Sequence, residues 1–594
     1  MFRICLLSLL LILLSSSSPA QNLVMDASDL EYLKDIRIMP DVEGKVLVNE
    51  SYLNNHQSRI ERNEIELFPG WPVIAAGANE CGSIYANLDS DQELELVYPV
   101  GTSLLALNPD GSTIPGWPKT LDFPTDGAPA CGDIDGDGIA EIVVTTHQTG
   151  SFAFGTIYAF EPDGSDVIGF PITTEGGAVR TPVLADLDGD DKLEIILTIR
   201  NWPDGLVSVY TGSGDVFPGW PVRMDYVPGS SAAVGDINGD DIPEIVAESY
   251  YGLHAFTPNG ALMPGFPYYP GLGRVFSYST PVLADLDDDG NREIICGDHS
   301  TENGTGAVHI VDYHGTSWVQ WPKITVSWIY GPPAVGDIND DGLLDIAVGD
   351  QTLSSTPVNQ LYAWTALTGE PLPGFPITEV AGINCQLLLA DLDGDGLIEL
   401  LADDNISVGT QGQYPGFNHD GTRMDDFFLE TLGSTFFINP VVLDINHDGN
   451  LDISGGGLEP GSNMTSLYLW DAGVTYDRSR AILPILQYNT RHTGVYGDTL
   501  MVKIHENPSE NLNQWSVYPV PAKDFLILSS TDINANEDIR VEIYQATGIK
   551  ISELEIDNQS DAVTLDVKDY PSGLYWIAIY ISKTKKQIIR FVKI

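Results

Sequence analysis

Apolar residues in this chain fall in short blocks, such as Thr181-Pro182-Val183-Leu184-Ala185, Ile142-Val143-Val144 and Ile157-Tyr158-Ala159-Phe160. Clusters of Asp, Asn, Gly and Pro separate them. Short apolar blocks bounded by turn formers predict β-strands, and no strong helical period competes with that reading. The spacing of the blocks is regular. A nine-residue pattern, Asp-x-Asp/Asn-x-Asp-Gly-x-x-Glu/Asp, recurs eight times, starting at Asn87, Asp133, Asp186, Asp236, Asp285, Asp337, Asp391 and Asp444. Successive starts lie 46, 53, 50, 49, 52, 54 and 53 residues apart. A period near 50 residues fits one four-stranded propeller blade.

Each period carries the same punctuation. One strand precedes the acidic loop, with proline at a fixed offset in Pro129, Pro182, Pro281, Pro333 and Pro440. A second strand follows the loop, and a third ends on an apolar or aromatic residue, as in Leu253-His254-Ala255-Phe256 and Leu361-Tyr362-Ala363-Trp364. Turns such as Asn108-Pro109-Asp110-Gly111 come next. The fourth element is Pro-Gly-Trp/Phe-Pro, found from Pro69, Pro115, Pro218, Pro264 and Pro373. Proline tolerates only edge positions in a sheet, so this element is expected to be the outermost strand. The copy near Leu67 to Val73 has no blade of its own, and the eighth blade lacks one. The first copy is therefore expected to complete the last blade and close the ring. The expected fold is all-β: an eight-bladed propeller over residues 67–496, with a seven-bladed ring plus a stray repeat as the alternative.

The loops carry the candidate chemistry. Their oxygen-bearing positions are Asn87, Asp89, Asp91 and Glu95; Asp133, Asp135, Asp137 and Glu141; Asp186, Asp188, Asp190 and Glu194; and Asp236, Asn238, Asp240 and Glu244. The second half of the ring repeats them at Asp285, Asp287, Asp289 and Glu293; Asp337, Asn339, Asp341 and Asp345; Asp391, Asp393, Asp395 and Glu399; and Asp444, Asn446, Asp448 and Asp452. Calcium takes six to eight oxygen ligands, and alternating carboxylates on a tight loop present several to one point. Glycine at the sixth position (Gly138, Gly290, Gly342, Gly396, Gly449) permits a left-handed turn. Asp191 and Asp241 replace it in two loops, and Gln92 departs most. A backbone carbonyl at the seventh position would complete the set. An EF-hand places its last ligand at position twelve between helices, whereas here the ninth-position carboxylate opens a strand. Up to eight structural calcium ions are expected.

The charge supports this. The chain holds 28 Lys+Arg against 84 Asp+Glu, a formal −56, and 33 of the acidic residues lie in the eight loop windows. Each divalent ion would offset two of those charges. So acidic a balance repels nucleic acid and anionic membrane, which argues against both as partners. With 43% hydrophobic residues the chain is nonetheless foldable.

The remaining segments frame the ring. Residues 1–20, with Arg3, the apolar run from Ile4 to Leu14 and a Ser-rich stretch ending at Ala20, read as a secretory signal. No later run reaches the roughly 20 apolar residues a membrane helix requires, so no membrane insertion is expected. Residues 21–66 form an acidic extension, 497–513 a polar linker and 514–594 a small β-sandwich with balanced charge. Cys81, Cys131, Cys296 and Cys385 are too few for a disulfide scaffold and are expected to be buried thiols.

Two resemblances follow from these motifs. The acidic loop, the strand after it and the period resemble the FG-GAP/VCBS-type repeats of integrin-α-like β-propellers, over about residues 67–496. That resemblance implies calcium in loops on one face of the ring. The C-terminal motifs, Val517-Tyr518-Pro519-Val520-Pro521-Ala522, Val541-Glu542-Ile543-Tyr544, Tyr570-Pro571-Ser572-Gly573-Leu574-Tyr575 and the closing Arg590-Phe591-Val592-Lys593-Ile594, resemble the type A sorting domain of type IX secretion. This second resemblance implies the type IX machinery as a partner and export across the outer membrane of a Bacteroidota-type bacterium, to the medium or the cell surface.

No catalytic constellation stands out: there is no Gly-x-Ser-x-Gly elbow, His-Glu-x-x-His pair or phosphate loop. His254 and His309 lie in apolar strands as core residues. The expected function is a secreted or surface binding and adhesion module for a glycan or protein partner. The alternative is a polysaccharide-degrading enzyme similar to eight-bladed rhamnogalacturonan lyases. Arg180, Tyr278, Tyr330 and Phe437 stand just upstream of first strands, where plain packing is the first reading and lining the mouth of the propeller axis, with aromatics stacking on sugars, the alternative.

Overall fold

The computed structural model describes residues 65–498, apart from 79–80, 90, 149–151, 277, 352–358, 404–410 and 460–462, together with the strand segments between 515 and 593. The expected leader, most of the 21–66 extension and most of the linker lie outside the described residues. The chain divides into two units, residues 1–505 and 506–594.

The first unit is an eight-bladed propeller. Its eight sheets are antiparallel, and each holds one acidic loop between its first and second strands. The second blade shows the plan: Ala130–Gly132, Glu141–His147, Gly155–Phe160 and Ile172–Thr174, paired with Cys131 opposite Ile142 and Val143 opposite Ala159. Both faces of each sheet are apolar because each packs on a neighbouring blade. Ile142 and Val144 meet Leu96, Leu104 and Trp117 of the first blade, whereas Val143, Ile157 and Ala159 meet Leu184, Ile195 and Leu197 of the third. Burying one such Val, Leu or Ile side chain contributes about 1.5–3 kcal/mol.

The ring closes as the repeat count predicts. Val73–Ala76 is the outer strand of the eighth blade, with Val73 opposite Leu467 and Ala76 opposite Met464, and Glu66 pairs with Asp471. The seven-bladed alternative is set aside by the eight sheets.

The Pro-Gly-Trp/Phe-Pro element is not itself the outer strand. It forms the turn before that strand, and its residues latch neighbouring blades. The indole N–H of Trp71 donates to the Pro109 carbonyl at 2.7 Å, Trp117 to Pro162 at 2.9 Å, Trp220 to Pro258 at 2.7 Å and Trp321 to Ala366 at 3.0 Å. The motif glycine, left-handed at Gly70 (φ 95°), lies so close to the next blade's turn that a Cβ would sit 2.0 Å from the Asp110 oxygen. Only glycine fits there.

A feature absent from the sequence reading fills the axis. Residues 480–498 enter the channel and hydrogen-bond to the first strands of seven blades. The Asp391 N–H donates to the Arg480 carbonyl, Val442 to Pro484, Cys131 to Thr490, Leu184 to Arg491, Val234 to Thr493 and Leu283 to Gly494, at 2.8–3.1 Å. Those are six blades; in the seventh the Val335 N–H donates to the Tyr488 hydroxyl at 2.9 Å, and that hydroxyl donates back to the Val335 carbonyl at 3.0 Å. This segment is a plug that satisfies strand edges which would otherwise face an open channel. Gln487, Tyr488 and His492 hold left-handed backbone within it (φ 56°, 74° and 58°). Such conformations persist for non-glycine residues only where the surroundings over-determine them.

Cys81, Cys131, Cys296 and Cys385 are buried thiols outside any disulfide, as expected. His309 is a core residue: its Nε2 lies 2.8 Å from Asp298, which also pairs with Arg274, and its Nδ1 lies 3.0 Å from the Tyr268 hydroxyl. The second unit has two antiparallel sheets. One orders Trp515–Tyr518, Phe525–Ser530 and Ala562–Asp566; the other orders Lys550–Ile556, Ile539–Gln545, Gly573–Ile581 and Thr584–Lys593. Among the described residues no helix is long and apolar enough to cross a membrane.

Candidate functional site

Every acidic loop joins the end of a first strand to the start of a second, so all eight open on one face of the ring. Their geometry repeats. The first-position carboxylate accepts backbone N–H groups from within its own loop: Asp133 from Gly136 and Gly138 at 2.7 and 2.9 Å, Asp391 from Gly394 and Gly396 at 2.7 and 2.9 Å, Asp236 from Gly239 and Asp241 at 2.8 Å each. The fifth-position carboxylate accepts from the residue two further on, as Asp137 does from Ile139 at 2.7 Å and Asp341 from Leu343 at 2.9 Å. These bonds curl the loop and gather its carboxylates.

Two positions need left-handed backbone, and only one was anticipated. The sixth adopts it as Gly138, Gly290, Gly342, Gly396 and Gly449 and as Asp191 (φ 66°) and Asp241 (φ 64°). Gln92 does not, so the first loop departs in conformation as well as in sequence. The fourth adopts it too, as Gly136, Gly189, Gly239 and Gly394, and as Asp288, Asp340 and His447 with φ of 58°, 56° and 58°. The frequent glycine at that position was the available signal.

The ninth-position carboxylates are the buried members. Glu95, Glu141, Glu194, Glu244, Glu293, Asp345, Glu399 and Asp452 are all at most 4% exposed. In each, one oxygen accepts the N–H of the second loop residue, at 2.6 Å from Leu88 to Glu95 and 2.8–3.0 Å elsewhere. The second oxygen has no hydrogen-bond partner in Glu95, Glu141, Asp345 and Asp452. Burial, reinforced by neighbouring loop carboxylates, pushes Glu95, Glu141, Glu399 and Asp452 up to about 8 and Glu194, Glu244, Glu293 and Asp345 up to about 7. A buried anionic oxygen without a donor is costly, and a bound cation is the natural complement.

The loops gather their ligands unequally. Oxygens of Asp133, Asp135, Asp137 and Glu141 all lie within 4.8 Å of one another, as do those of Asp89, Asp91 and Glu95, of Asp186, Asp188 and Glu194, and of Asp391, Asp393 and Glu399. In the fifth loop the set is Asp285, Asp287 and Asp289, without Glu293. Among the loop carboxylates, Asp190 and Asp395 fall outside these sets, and the Asn87 side-chain oxygen is buried without a partner. The fourth, sixth and eighth loops carry Asn at the third position, and its amide donates to an acidic neighbour: Asn238 to Glu244 at 2.8 Å, Asn339 to Asp341 and Asn446 to Asp448 at 3.1 Å. There the amide meets part of the charge that a cation meets elsewhere. Several clusters therefore suit a hard divalent cation in donor type and convergence. Such an ion would supply charge compensation and a fixed centre for the loop.

Protons and cations compete for these oxygens, which gives a pH prediction. A carboxyl whose folded pKa is raised costs metal-free stability as pH climbs from the unfolded value near 4.5 to the folded value of about 7–8. Chelator should accordingly destabilise the chain more at pH 8.5 than at pH 6, and calcium affinity should rise over the same interval. Melting curves at the two pH values with and without chelator check this.

The opposite face is formed by the connections leading into first strands. Arg180, Tyr278, Tyr330 and Phe437 do line one depression there, with Asp126, Thr181, Ser231, Thr280, Asn384, Asn439, Leu486 and Gln487. It offers about 40 Å³ to water-sized molecules, because the plug fills the axis beneath. A belt of hydrogen bonds links blades around it: Ala128 N–H to the Thr181 hydroxyl at 3.0 Å, Thr181 to Ser231 at 2.9 Å, Ser231 to Thr280 at 3.3 Å and Gln386 to Asn439 at 3.1 Å. Ser, Thr or Asn just before the first strand was its signal.

Comparison with known proteins accords with this geometry. Residues 133–197 and 285–348 match the FG-GAP-like repeat, and residues 516–593 match the secretion system C-terminal sorting domain. No curated protein matches the chain. Among solved structures, the V. cholerae biofilm matrix protein Bap1 is similar at 13% identity over 72% of this chain and 96% of that one, with a TM-score of 0.37. The WD40 domain of SCAP from fission yeast is similar at 10% identity over 69% and 98%, with a TM-score of 0.33. An oligogalacturonate lyase in complex with manganese is similar at 11% over 70% and 99%, with a TM-score of 0.31. Likenesses this distant carry no argument about what the chain does. The matched segments and the eight blades together identify the chain as a β-propeller of FG-GAP-like repeats with a C-terminal secretion-system sorting domain.

Proposed function

We propose that the ring is a calcium-stabilised binding module, exported by the type IX machinery to the cell surface or medium, that takes up a glycan on the face opposite its acidic loops. The sorting domain at residues 516–593 supplies the address. The calcium reading rests on the clustered and buried loop carboxylates, and the ligands are those named above for each loop.

One observation carries the binding role: a run of aromatic contacts on the opposite face, buried at His299 and Tyr330, reaches the surface at Trp202 and Tyr251. Trp202 meets Tyr226 with ring centres 5.5 Å apart, Tyr226 meets Tyr250 at 5.9 Å, Tyr250 meets His299 at 6.4 Å and His299 meets Trp328 at 4.2 Å. The run continues from Trp328 to Tyr330 at 6.2 Å, and Tyr330 meets Tyr278 at 5.2 Å and Phe437 at 6.0 Å. Trp202 is 72% exposed and Tyr251, beside Tyr226, 46%. Aromatic rings of this kind serve recognition, having an apolar face and a polar edge. Sugar rings, apolar on one face and hydroxylated at the rim, match them.

A glycan array probed with the calcium-loaded chain tests the proposal. Binding is expected, and Trp202→Ala should weaken it about fivefold or more without moving the melting temperature. A blank array, or a Trp202→Ala variant that binds unchanged, contradicts it.

A further inference from the structure

We infer that the glycan is acidic, and that Arg180 is the residue that selects a sugar carboxylate. This rests on the glycan reading and adds the chemical class of the ligand.

Arg180 is an unusual cation in this chain. It is half-buried, adopts left-handed backbone with φ 60°, and stands in the depression over the axis. Its guanidinium carbon lies 4.5 Å from the Phe437 ring centre and 5.8 Å from that of Tyr278. Within the described residues the guanidinium makes no hydrogen bond and no ion pair; only the backbone N–H donates, to Asp126 at 3.3 Å. The nearby charges are otherwise engaged. Asp126 shares the depression without a hydrogen bond to the guanidinium; against its burial, His147 at 3.7 Å and the charges of Arg180 and Arg200 hold its carboxyl low, and Arg200 donates its Nε to the Pro228 carbonyl at 2.8 Å.

A guanidinium held against aromatic faces keeps its planar fork of N–H donors at the edge, and that fork matches a carboxylate in two parallel bonds. In a chain of net charge −56 with only 28 basic residues, a guanidinium fork left without a hydrogen-bonded carboxylate among the described residues, Asp126 acting on it only through charge, leaves its donors for an anion from outside. The acidic loops do not oppose it strongly, since they open on the other face and charges more than about 8 Å away are screened at physiological salt. A second observation points the same way. Asn384, which lines the same depression and is 2% exposed, donates its amide to Asp403 but leaves its carbonyl oxygen without a partner. An acceptor there suits a sugar hydroxyl. Tyr278 and Tyr330, stacked at 5.2 Å and 20°, supply the adjoining aromatic surface.

The test compares oligosaccharides differing only in the carboxylate. The full calcium-loaded chain is titrated with oligogalacturonates and alginate oligosaccharides, with their methyl esters, and with neutral xylo- and galacto-oligosaccharides. Binding of a uronate is expected, at least tenfold weaker for its ester, and at least tenfold weaker for the Arg180→Met protein. Arg180→Lys, which keeps the charge without the fork, should recover only part of the loss. Equal binding of acid, ester and neutral sugars, or an Arg180→Met protein with undiminished uronate affinity, overturns the role of Arg180 while leaving the glycan reading intact. Absence of binding to every oligosaccharide overturns both. Unchanged melting of the variants in calcium assigns the losses to recognition.

Discussion

Stripping divalent cations from the folded chain is expected to lower its melting temperature by roughly 4–12 °C. Extracellular calcium modules bind at about 10⁻⁴–10⁻³ M, so at ~1 mM calcium each loop gains roughly 0.4–1.4 kcal/mol, and eight independent loops roughly 3–11 kcal/mol. A ring of this length has an unfolding entropy of about 0.9 kcal/mol per degree, which sets the conversion. The loss comes from identifiable atoms. Without a cation, the buried carboxylates of Glu95, Glu141, Asp345 and Asp452 each keep an oxygen with no partner, beside further carboxylates on the same loop. The fourth loop should contribute least, because the Asn238 amide already meets the buried Glu244 carboxylate. Differential scanning calorimetry in calcium and in chelator checks the value, and coincident melts would contradict it.

The second large effect concerns the axial plug. Tyr488 is 1% exposed, and its hydroxyl satisfies both the N–H and the carbonyl of Val335 from a distance of 153 residues along the chain. Tyr488→Ala removes the ring as well as these bonds and is expected to cost about 3–5 kcal/mol. Tyr488→Phe keeps the packing but strands the Val335 groups, for about 1–3 kcal/mol. Calorimetry in saturating calcium should place the two variants in that order below the parent. If both melt with the parent, residues 480–498 merely occupy the channel and do not brace it.

The ring was legible because its signals are local and repeated. Eight copies of one loop fix the blade number, and an unpaired Pro-Gly-Trp-Pro at residues 69–72 shows where the circle closes. The loop carboxylates could be named for the same reason. What the sequence concealed depends on contacts between distant segments. Pro-Gly-Trp-Pro reads as strand because proline favours sheet edges, yet its glycine and indole are set by the next blade's turn, about 40 residues on. The plug makes no periodic pattern, and its partners lie up to 363 residues away, as in His492 facing the Pro129 carbonyl. One clue stood in plain view: residues 481–497 contain no acidic residue in a chain that holds 84. Arg180, Tyr278, Tyr330 and Phe437, for which packing is the first reading, line one depression, because a shared offset before the first strand maps to a shared height on the ring.

The most direct test is a count of metal. The chain is equilibrated in calcium, dialysed against buffer of known free calcium, and assayed for calcium per protein by elemental analysis. Several calcium ions per chain, up to eight, are expected, and Glu141→Gln should lower the count by one. A folded ring that retains no calcium at millimolar concentration would contradict the reading of the acidic loops as cation sites.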